Sequence, residues 1–477
     1  MGAQPVSVRS SDTFILIAMC FALFTDTFVY GMIVPILPYL LLDSGQVANK
    51  NVQTWTSILL ASYGAALFIG SPLVGFLGDR YGSRKLPLVL GFVTIAAATI
   101  MFMVGRHPGV LIVARVLQGL SGAVVGVLCL ALIAETAGKQ HIGEYMAYGS
   151  MSFTWGMLSG PMIGGILFEK LGHTAAFAFP VTMLLIDVVL RLLIIEKKGK
   201  LLSSVPSEST DEQALDTDTP DNASSSSVNE ESSLLPQNKP GTDSLSFCNF
   251  IHPRLLTALF LTVSVASVFS AFETTIPLYV KETYNWASSG AGLIFLPLTI
   301  PSFLTILIGR HAERLGPRKI ITTAFLTAII PMIALRFTEI NNLRHQVLLV
   351  ALLSILGICL SAGQALTMAE VSNAVHEIEA KHGCESEGSG MGRGYAFCNM
   401  AFAGGQFIGP VIGGLSRGQL GWGAMTLILA GICLGAGVPA FLFVDGWIGK
   451  KAKGKGVDKV NGNGEGIGEG AENGACH

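Results

Sequence analysis

Charge is what this chain has little of. Only 13% of its 477 residues are Asp, Glu, Lys or Arg, against 51% apolar; soluble domains run at about 25% charged. So few polar side chains cannot cover a water-soluble globule of this size, which makes a bilayer the natural solvent. Metal and redox spacings are missing too. The eight cysteines form no CxxC pair, and none stands with a histidine at zinc spacing. Most fall in apolar runs, where cysteine acts as a small hydrophobe. No small-residue cleavage site follows the first apolar run, so that run reads as a retained helix rather than a signal peptide. No stretch looks like a nucleic-acid patch, and the net charge of −2 points to no particular partner. No serine–histidine or metal-ligand set converges, so neither an enzyme site nor a cofactor is expected; His141, His173 and His311 stand singly at loops.

Long apolar runs are abundant. A spanning helix needs ~20 mostly apolar residues, because the hydrocarbon core is ~30 Å thick and a helix rises ~1.5 Å per residue. Helix candidates fall at 13–42, 54–78, 86–105, 109–134, 143–168 and 174–196, then at 252–280, 287–309, 319–337, 345–372, 391–416 and 421–447. The expected class is an all-α membrane protein with 12 transmembrane helices. Its expected divisions are an N-terminus at 1–12, a six-helix bundle at 13–196, a linker at 197–250, a second bundle at 251–447 and a tail at 448–477. The linker is acidic and rich in Ser, Thr and Pro. It cannot bury enough apolar area to offset its ordering entropy and reads as disordered, as does the Gly- and Lys-rich tail.

Lys and Arg set the orientation. With the N-terminus inside, only Lys50, Arg106, Lys170, Lys281, Arg336, Arg344 and Arg417 fall in outer segments. Both termini and the linker are then cytoplasmic, and the sequon at Asn222 lies on the inner side. Glu230–Leu235 in the linker fits an acidic dileucine pattern, which leaves vacuolar or vesicular membranes open beside the plasma membrane.

Two motifs are each written twice. GFLGDRYGSRK, with Gly75, Asp79, Arg80, Gly82, Arg84 and Lys85, recurs as GRHAERLGPRK, with Gly309, Glu313, Arg314, Gly316, Arg318 and Lys319. WGMLSGPMIGG, with Gly156, Gly160, Pro161, Gly164 and Gly165, recurs as GGQFIGPVIGG, with Gly405, Gly409, Pro410, Gly413 and Gly414. Repeats in the same order imply two structurally alike halves.

On these motifs the chain resembles the major facilitator superfamily, in its 12-helix drug:proton antiporter branch. The charged turn matches that superfamily's loop between helices 2 and 3. GxxxGPxxGG matches the antiporter motif of helix 5, and ARVLQGLSG from Ala114 matches helix 4. DTFVYGMIVPILP, with Asp26, and FETTIP, with Glu273, are most similar to the vesicular monoamine transporter group. Helix 11 carries Asn399 where that group has an aspartate. The resemblance implies two pseudo-symmetric bundles, alternating access, and a gate formed by Asp79, Arg80, Gly82, Arg84, Glu313 and Arg314.

Charges inside hydrocarbon cost ~2.5–3.5 kcal/mol each on insertion scales, so each wants a reason. Asp26 and Glu273 are expected to bind proton and substrate in a shared chamber, or else to be neutral acids held by helix–helix hydrogen bonds. Arg115, with Gln118 one turn on, is either a coupling residue or part of an ion pair. Glu370 is either intramembrane or solvated at the boundary. Asp187 and Arg191, four apart on one helix face, are expected to pair. Trp55, Trp286, Trp422 and Trp447 read as interfacial anchors. The expected job is proton-coupled antiport of a small amphipathic or cationic molecule, by a monomer, with no partner but substrate, protons and lipid. The alternatives are a nutrient symporter or facilitator and a non-transporting membrane sensor. The sugar-porter patterns PESPR and PETKG are absent.

Overall fold

The computed structural model describes residues 11–80, 85–194, 252–304, 316–382 and 389–444, and among these every regular element is helical. The expected linker and tail lie outside the described residues, as do residues 1–10, His311, Trp447 and the side chain of His141. The first half begins with α1 (Asp12–Asp43), α2 (Val52–Arg80) and α3 (Lys85–Val104). Where three separate helices were expected, one helical run extends over Pro108–Leu193. It carries three passes: α4 (Pro108–Ile133), α5 (144–171) and α6 (173–193). Its last 50 residues would reach about 75 Å if straight, more than twice the hydrocarbon thickness. The chain turns back at Gly172, whose φ of +81° suits a residue without Cβ. His173 Nε2 then lies 2.9 Å from Met103 O, and Phe177 stacks on Phe102 at 5.9 Å, so α6 returns beside α3.

The second half comprises α7 (Pro253–Tyr284), α8 (Ser288–Leu304), α9 (Pro317–Ala334), α10 (Leu343–His382), α11 (Ser389–Leu420) and α12 (Trp422–Phe443). α8 is not the smooth helix expected. It is a turn and a half of α-helix at Ser288–Leu293, a short piece at Leu296–Thr299 and a 3-10 turn at Ile300–Leu304. Pro297 and Pro301 withdraw the amides a continuous helix needs. Among the described residues, nine helical stretches are long and apolar enough to cross a membrane, one of them holding both α5 and α6. Large apolar side chains such as Ile17, Ile69, Leu86, Leu185, Ile330 and Phe441 are exposed around the molecule, as acyl-chain contact requires.

α1 and α7 are the most enclosed helices, with 67% and 72% of their apolar windows buried. The glycine motifs explain how they are gripped. Gly156, Gly160 and Gly164 of α5 lie against Phe24–Met32 of α1, where a Cβ on Gly160 would come within 2.6 Å of Phe28 O. Gly405, Gly409 and Gly413 of α11 lie in the same way against Val263–Ala271 of α7. The last glycine of each copy crosses to the other half. Gly165 meets Ser288 of α8, and Gly414 meets Ser57 of α2. Residues this small let helix backbones touch. The two halves are therefore alike in packing as in sequence, and they join along α5–α8 and α2–α11.

Candidate functional site

Between the halves lies a cavity of about 420 Å³. Its walls come from both sides of the seam: α1, α2, α4 and α5 face α7, α8, α10 and α11. The first half contributes Asp26, Thr27, Tyr30, Tyr63, Ser150, Phe153, Thr154 and Met157. The second contributes Phe269, Ser302, Ser361, Gln364, Asn399, Phe402 and Gln406. Among the described lining residues, Asp26 is the one carboxyl. A smaller groove of about 320 Å³ between α2 and α11 carries no charged residue.

Asp26 is 9% exposed, and its Oδ1 is buried without a hydrogen-bond partner. Its carboxylate lies against Gly122 of α4, where a Cβ would stand 3.6 Å from Oδ1. The second expected acid is placed differently. Glu273 is 3% exposed and does not line the cavity. It sits behind Tyr30, whose hydroxyl donates to Glu273 Oε2 at 2.7 Å across the seam. Neither acid faces lipid, and they share no chamber.

Arg115 is fully buried. Its Nη1 donates to Gln118 Oε1 at 3.4 Å, while Nε and Nη2 have no partner. Three rings take the place of a carboxylate: the guanidinium lies over Tyr30, Tyr63 and Phe102 at 5.8, 5.9 and 5.5 Å. Cation–π contacts of this kind contribute more once desolvated. Asn399 lines the cavity and reaches Ser71 Oγ at 3.5 Å.

Glu370 is neither solvated nor on the cavity wall. Its side chain has no exposure, and Arg254 of α7 forks onto it, Nε to Oε1 at 2.5 Å and Nη2 to Oε2 at 3.0 Å. Arg254 Nη1 also holds Glu377 at 3.1 Å. This is a structural ion pair between α7 and α10. The expected pairing of Asp187 with Arg191 does not form, since both Asp187 carboxylate oxygens are buried with no hydrogen-bond partner. Trp422 is no interfacial anchor. It is 5% exposed, stacks on Tyr279 at 3.8 Å and donates to Leu335 O at 3.0 Å.

Of the charged turns, Gly82, Arg84, Glu313 and Arg314 lie outside the described residues, as do the side chains of Asp79 and Arg80. The described ends of both turns act alike. Lys85 Nζ donates to Leu192 O and Ile194 O at 3.0 and 3.3 Å, and Arg318 Nε donates to Val444 O at 2.7 Å. Each cation caps the end of its half's last helix, where the unpaired carbonyls and the helix dipole favour positive charge.

Four residues that the structure ties into the seam or its supports were not singled out in the sequence. Tyr30, Tyr63 and Arg254 were assigned no role from the sequence. Gln53 showed no signal, yet it accepts a hydrogen bond from Arg417 Nη1 and donates to Thr274 O at 3.3 Å.

Two like helical halves around a cavity, with one carboxyl among its described lining residues, are the architecture of a membrane carrier. The profile of the Major Facilitator Superfamily matches residues 19–383, and the chain belongs to that family. It is 32% identical over 446 residues to an MFS-type transporter of Schizosaccharomyces pombe, covering 91% of this chain and 96% of the relative. It is 23% identical over 411 residues to the multidrug resistance protein MdtG of Escherichia coli, covering 85% and 88%. Among solved structures it is similar in fold to the nucleoside transporter NupG, with a TM-score of 0.62 at 15% identity over 89% of this chain and 98% of that one.

Proposed function

We propose that this carrier is a proton-driven antiporter. It moves a small amphipathic or cationic molecule from the side of its termini to the opposite side by alternating access. One observation carries the reading: a lone carboxyl, Asp26, stands in a wall of aromatic, aliphatic and uncharged polar groups. Apolar walls with one fixed acid suit a cation that brings its own hydrophobic surface. Two other supports are the antiporter glycine motif, present in both halves, and the relative named as a multidrug resistance protein. At Asp26 and Glu273 the sequence resembles the vesicular amine group, while Asn399 argues for a broader cargo class than monoamines. In this reading Asp26 takes cargo and proton in turn, Glu273 carries a proton, and Arg115 couples them. The termini face the cytoplasm, and the membrane is plasma or vacuolar. A gradient of one pH unit is worth ~1.4 kcal/mol per proton, enough for about tenfold accumulation.

The test is uptake of tetraphenylphosphonium into proteoliposomes under an imposed pH step. Accumulation that collapses with a protonophore and is lost in Asp26→Asn is the expected result. Uptake indifferent to the protonophore overturns it. A second reading draws on the opposite wall, where Ser302, Ser361, Gln364, Asn399 and Gln406 form an uncharged hydrogen-bonding set. That set suits a neutral polyhydroxyl or amide-bearing solute. Competition of such a solute with uptake, undiminished in Asp26→Asn, would favour it.

A further inference from the structure

Three consecutive residues of α7 are held from three directions. Glu273 Oε2 accepts from Tyr30 of α1 at 2.7 Å. Thr274 O accepts from Gln53 of α2 at 3.3 Å, and Thr275 O accepts from Arg417 of α11 at 3.1 Å. Pro277 explains part of this: its missing amide leaves Glu273 O without the usual helical donor and opens this turn. Two of the three donors belong to the first half, so the segment is a seam. Further seam contacts continue toward the far side, away from Asp12. Tyr39 donates to Trp286 O at 2.7 Å, Ser289 N donates to Glu169 at 3.1 Å, and Ser288 Oγ donates to Gly165 O at 3.0 Å.

Of these contacts the Tyr30–Glu273 bond alone joins the cavity wall to an enclosed acid. The groups around Glu273 can be named helix by helix. Tyr30 comes from α1, Tyr63 from α2 and Arg115 from α4, and Ser270 lies one turn back on α7. From α11, Gly409 and Gly413 rest on Ser270 and Ala271 beside it. Tyr30 connects two of the charged groups. Its ring lies under Arg115 and packs on Tyr63 at 4.6 Å, and its hydroxyl holds the carboxylate.

We propose that Tyr30 is the latch of the carrier: its hydroxyl, donated across the seam to Glu273, locks the far side shut while Glu273 is ionised. An O–H donated to a carboxylate is roughly twice as strong as one donated to a neutral acceptor. Protonation of Glu273 therefore weakens the lock. It also removes the negative charge that faces Arg115, leaving that cation with Gln118 and its three rings. Cargo seated at Asp26 stands one helical turn from Tyr30, on the same face of α1, and packing against that ring draws the hydroxyl away from Glu273. The empty, deprotonated carrier is then the form that cannot switch, which is the condition for exchange without leak. Tyr30 acts here as a positioning residue, through Glu273.

This rests on the reading of Glu273 as a proton carrier, and its test needs neither cargo nor transport. Hydrogen–deuterium exchange of the full-length protein in detergent is followed at 44–54 and 281–292, at pH 8 and pH 6, after correction for intrinsic exchange. In the wild type, protection of both segments should fall about tenfold on going to pH 6, as a charge-assisted bond is lost. Tyr30→Phe, which keeps the ring on Tyr63 and Arg115, should show the low protection already at pH 8 and no pH response. Glu273→Gln should match it, and the double variant should lose no more than either. Tyr39→Phe removes a seam hydrogen bond whose acceptor cannot titrate. It should lower protection equally at both pH values and keep the wild-type response, which separates a proton-sensing lock from simple loosening. A wild-type pH response retained in Tyr30→Phe, or a wild type with no response, overturns the proposal. Proton-linked uptake that fails while this response stands would sink the antiport reading and leave the lock.

Discussion

The two halves bury charge in opposite ways. In the first half several buried charged atoms are left short of partners. Asp26 Oδ1, both oxygens of Asp187, and Nε and Nη2 of Arg115 are enclosed without a hydrogen bond. In the second half it is matched. Arg254 forks onto Glu370 and Glu377, Arg417 holds Glu282 at 2.7 Å, and Glu273 receives the Tyr30 hydroxyl. A matched buried pair is stiff, because breaking it leaves an uncompensated charge. An unmatched group is poised to bind something else. The difference leaves unpartnered charge in the first half and paired charge in the second, although the fold is the same.

The largest effect should come from breaking the match. Glu370→Ala leaves Arg254 enclosed with only the half-exposed Glu377, and losing one partner of a buried pair costs about 3–5 kcal/mol. Thermal unfolding in detergent would show it as a large drop in midpoint. Asp187→Asn, on the unmatched side, should leave the midpoint unchanged or raise it. Equal losses in both variants would erase the contrast between the halves.

That contrast was only partly legible in the sequence. Hydropathy and the twin motifs are local and periodic, so the helices and the two-fold likeness could be read directly. The continuity of 108–193 could not, although the break expected between 168 and 174 falls where left-handed Gly172 reverses the chain. Nor could the break in α8, where Pro297 and Pro301 stand in a run apolar enough to pass for one helix. Asp26 was visible because a carboxyl in an apolar run is costly wherever it points. Tyr30 was not, because a phenol on such a helix looks the same whether it fills a core or bridges two halves. The Arg254–Glu370 pair joins positions 116 residues apart, a distance over which one sequence carries no register.

The next effect sharpens the first-half side of the comparison. Asp26→Asn keeps the shape of the wall and removes its one carboxyl. Truncating one partner of a buried charge pair costs roughly 2 kcal/mol or more in binding, so tetraphenylphosphonium affinity should fall at least about thirtyfold. Equilibrium dialysis against the purified protein measures it. Glu273→Gln, removing an acid off the wall, should change that affinity by less than about threefold while altering its pH dependence; equal losses in the two variants would return both acids to a shared binding site.

A smaller effect probes where the halves meet. A Cβ on Gly64 of α2 would stand 2.5 Å from the Gln406 backbone of α11. Neither backbone can yield cheaply, and overpacking of this kind costs about 1–3 kcal/mol. Gly64→Ala should lower the unfolding midpoint accordingly and slow exchange between the two open states, read as a reduced uptake rate. Gly126 of α4 has nothing within 4 Å of its Cβ position, and Gly126→Ala should be neutral or slightly stabilising. A tolerated Gly64→Ala would mean that the α2–α11 seam is looser than its backbone contact implies.

The smallest effect concerns the outermost match. Arg417 is enclosed, with 8% side-chain exposure, but its partner Glu282 is 58% exposed. Water screens most of that attraction, and exposed pairs contribute at most about 1 kcal/mol. The arginine has other anchors in Gln53, Thr275 O and the Tyr279 ring, 5.9 Å from its guanidinium carbon. Glu282→Gln should therefore shift the unfolding midpoint barely at all, whereas Arg417→Gln should cost more, because it strips the Gln53 side chain and the Thr275 carbonyl at once. The comparison is measured as two midpoints under one condition. Should Glu282→Gln prove the more damaging, the far side would be held by its surface charge rather than by the buried seam, and the matched half would owe its stiffness to solvent-exposed pairs.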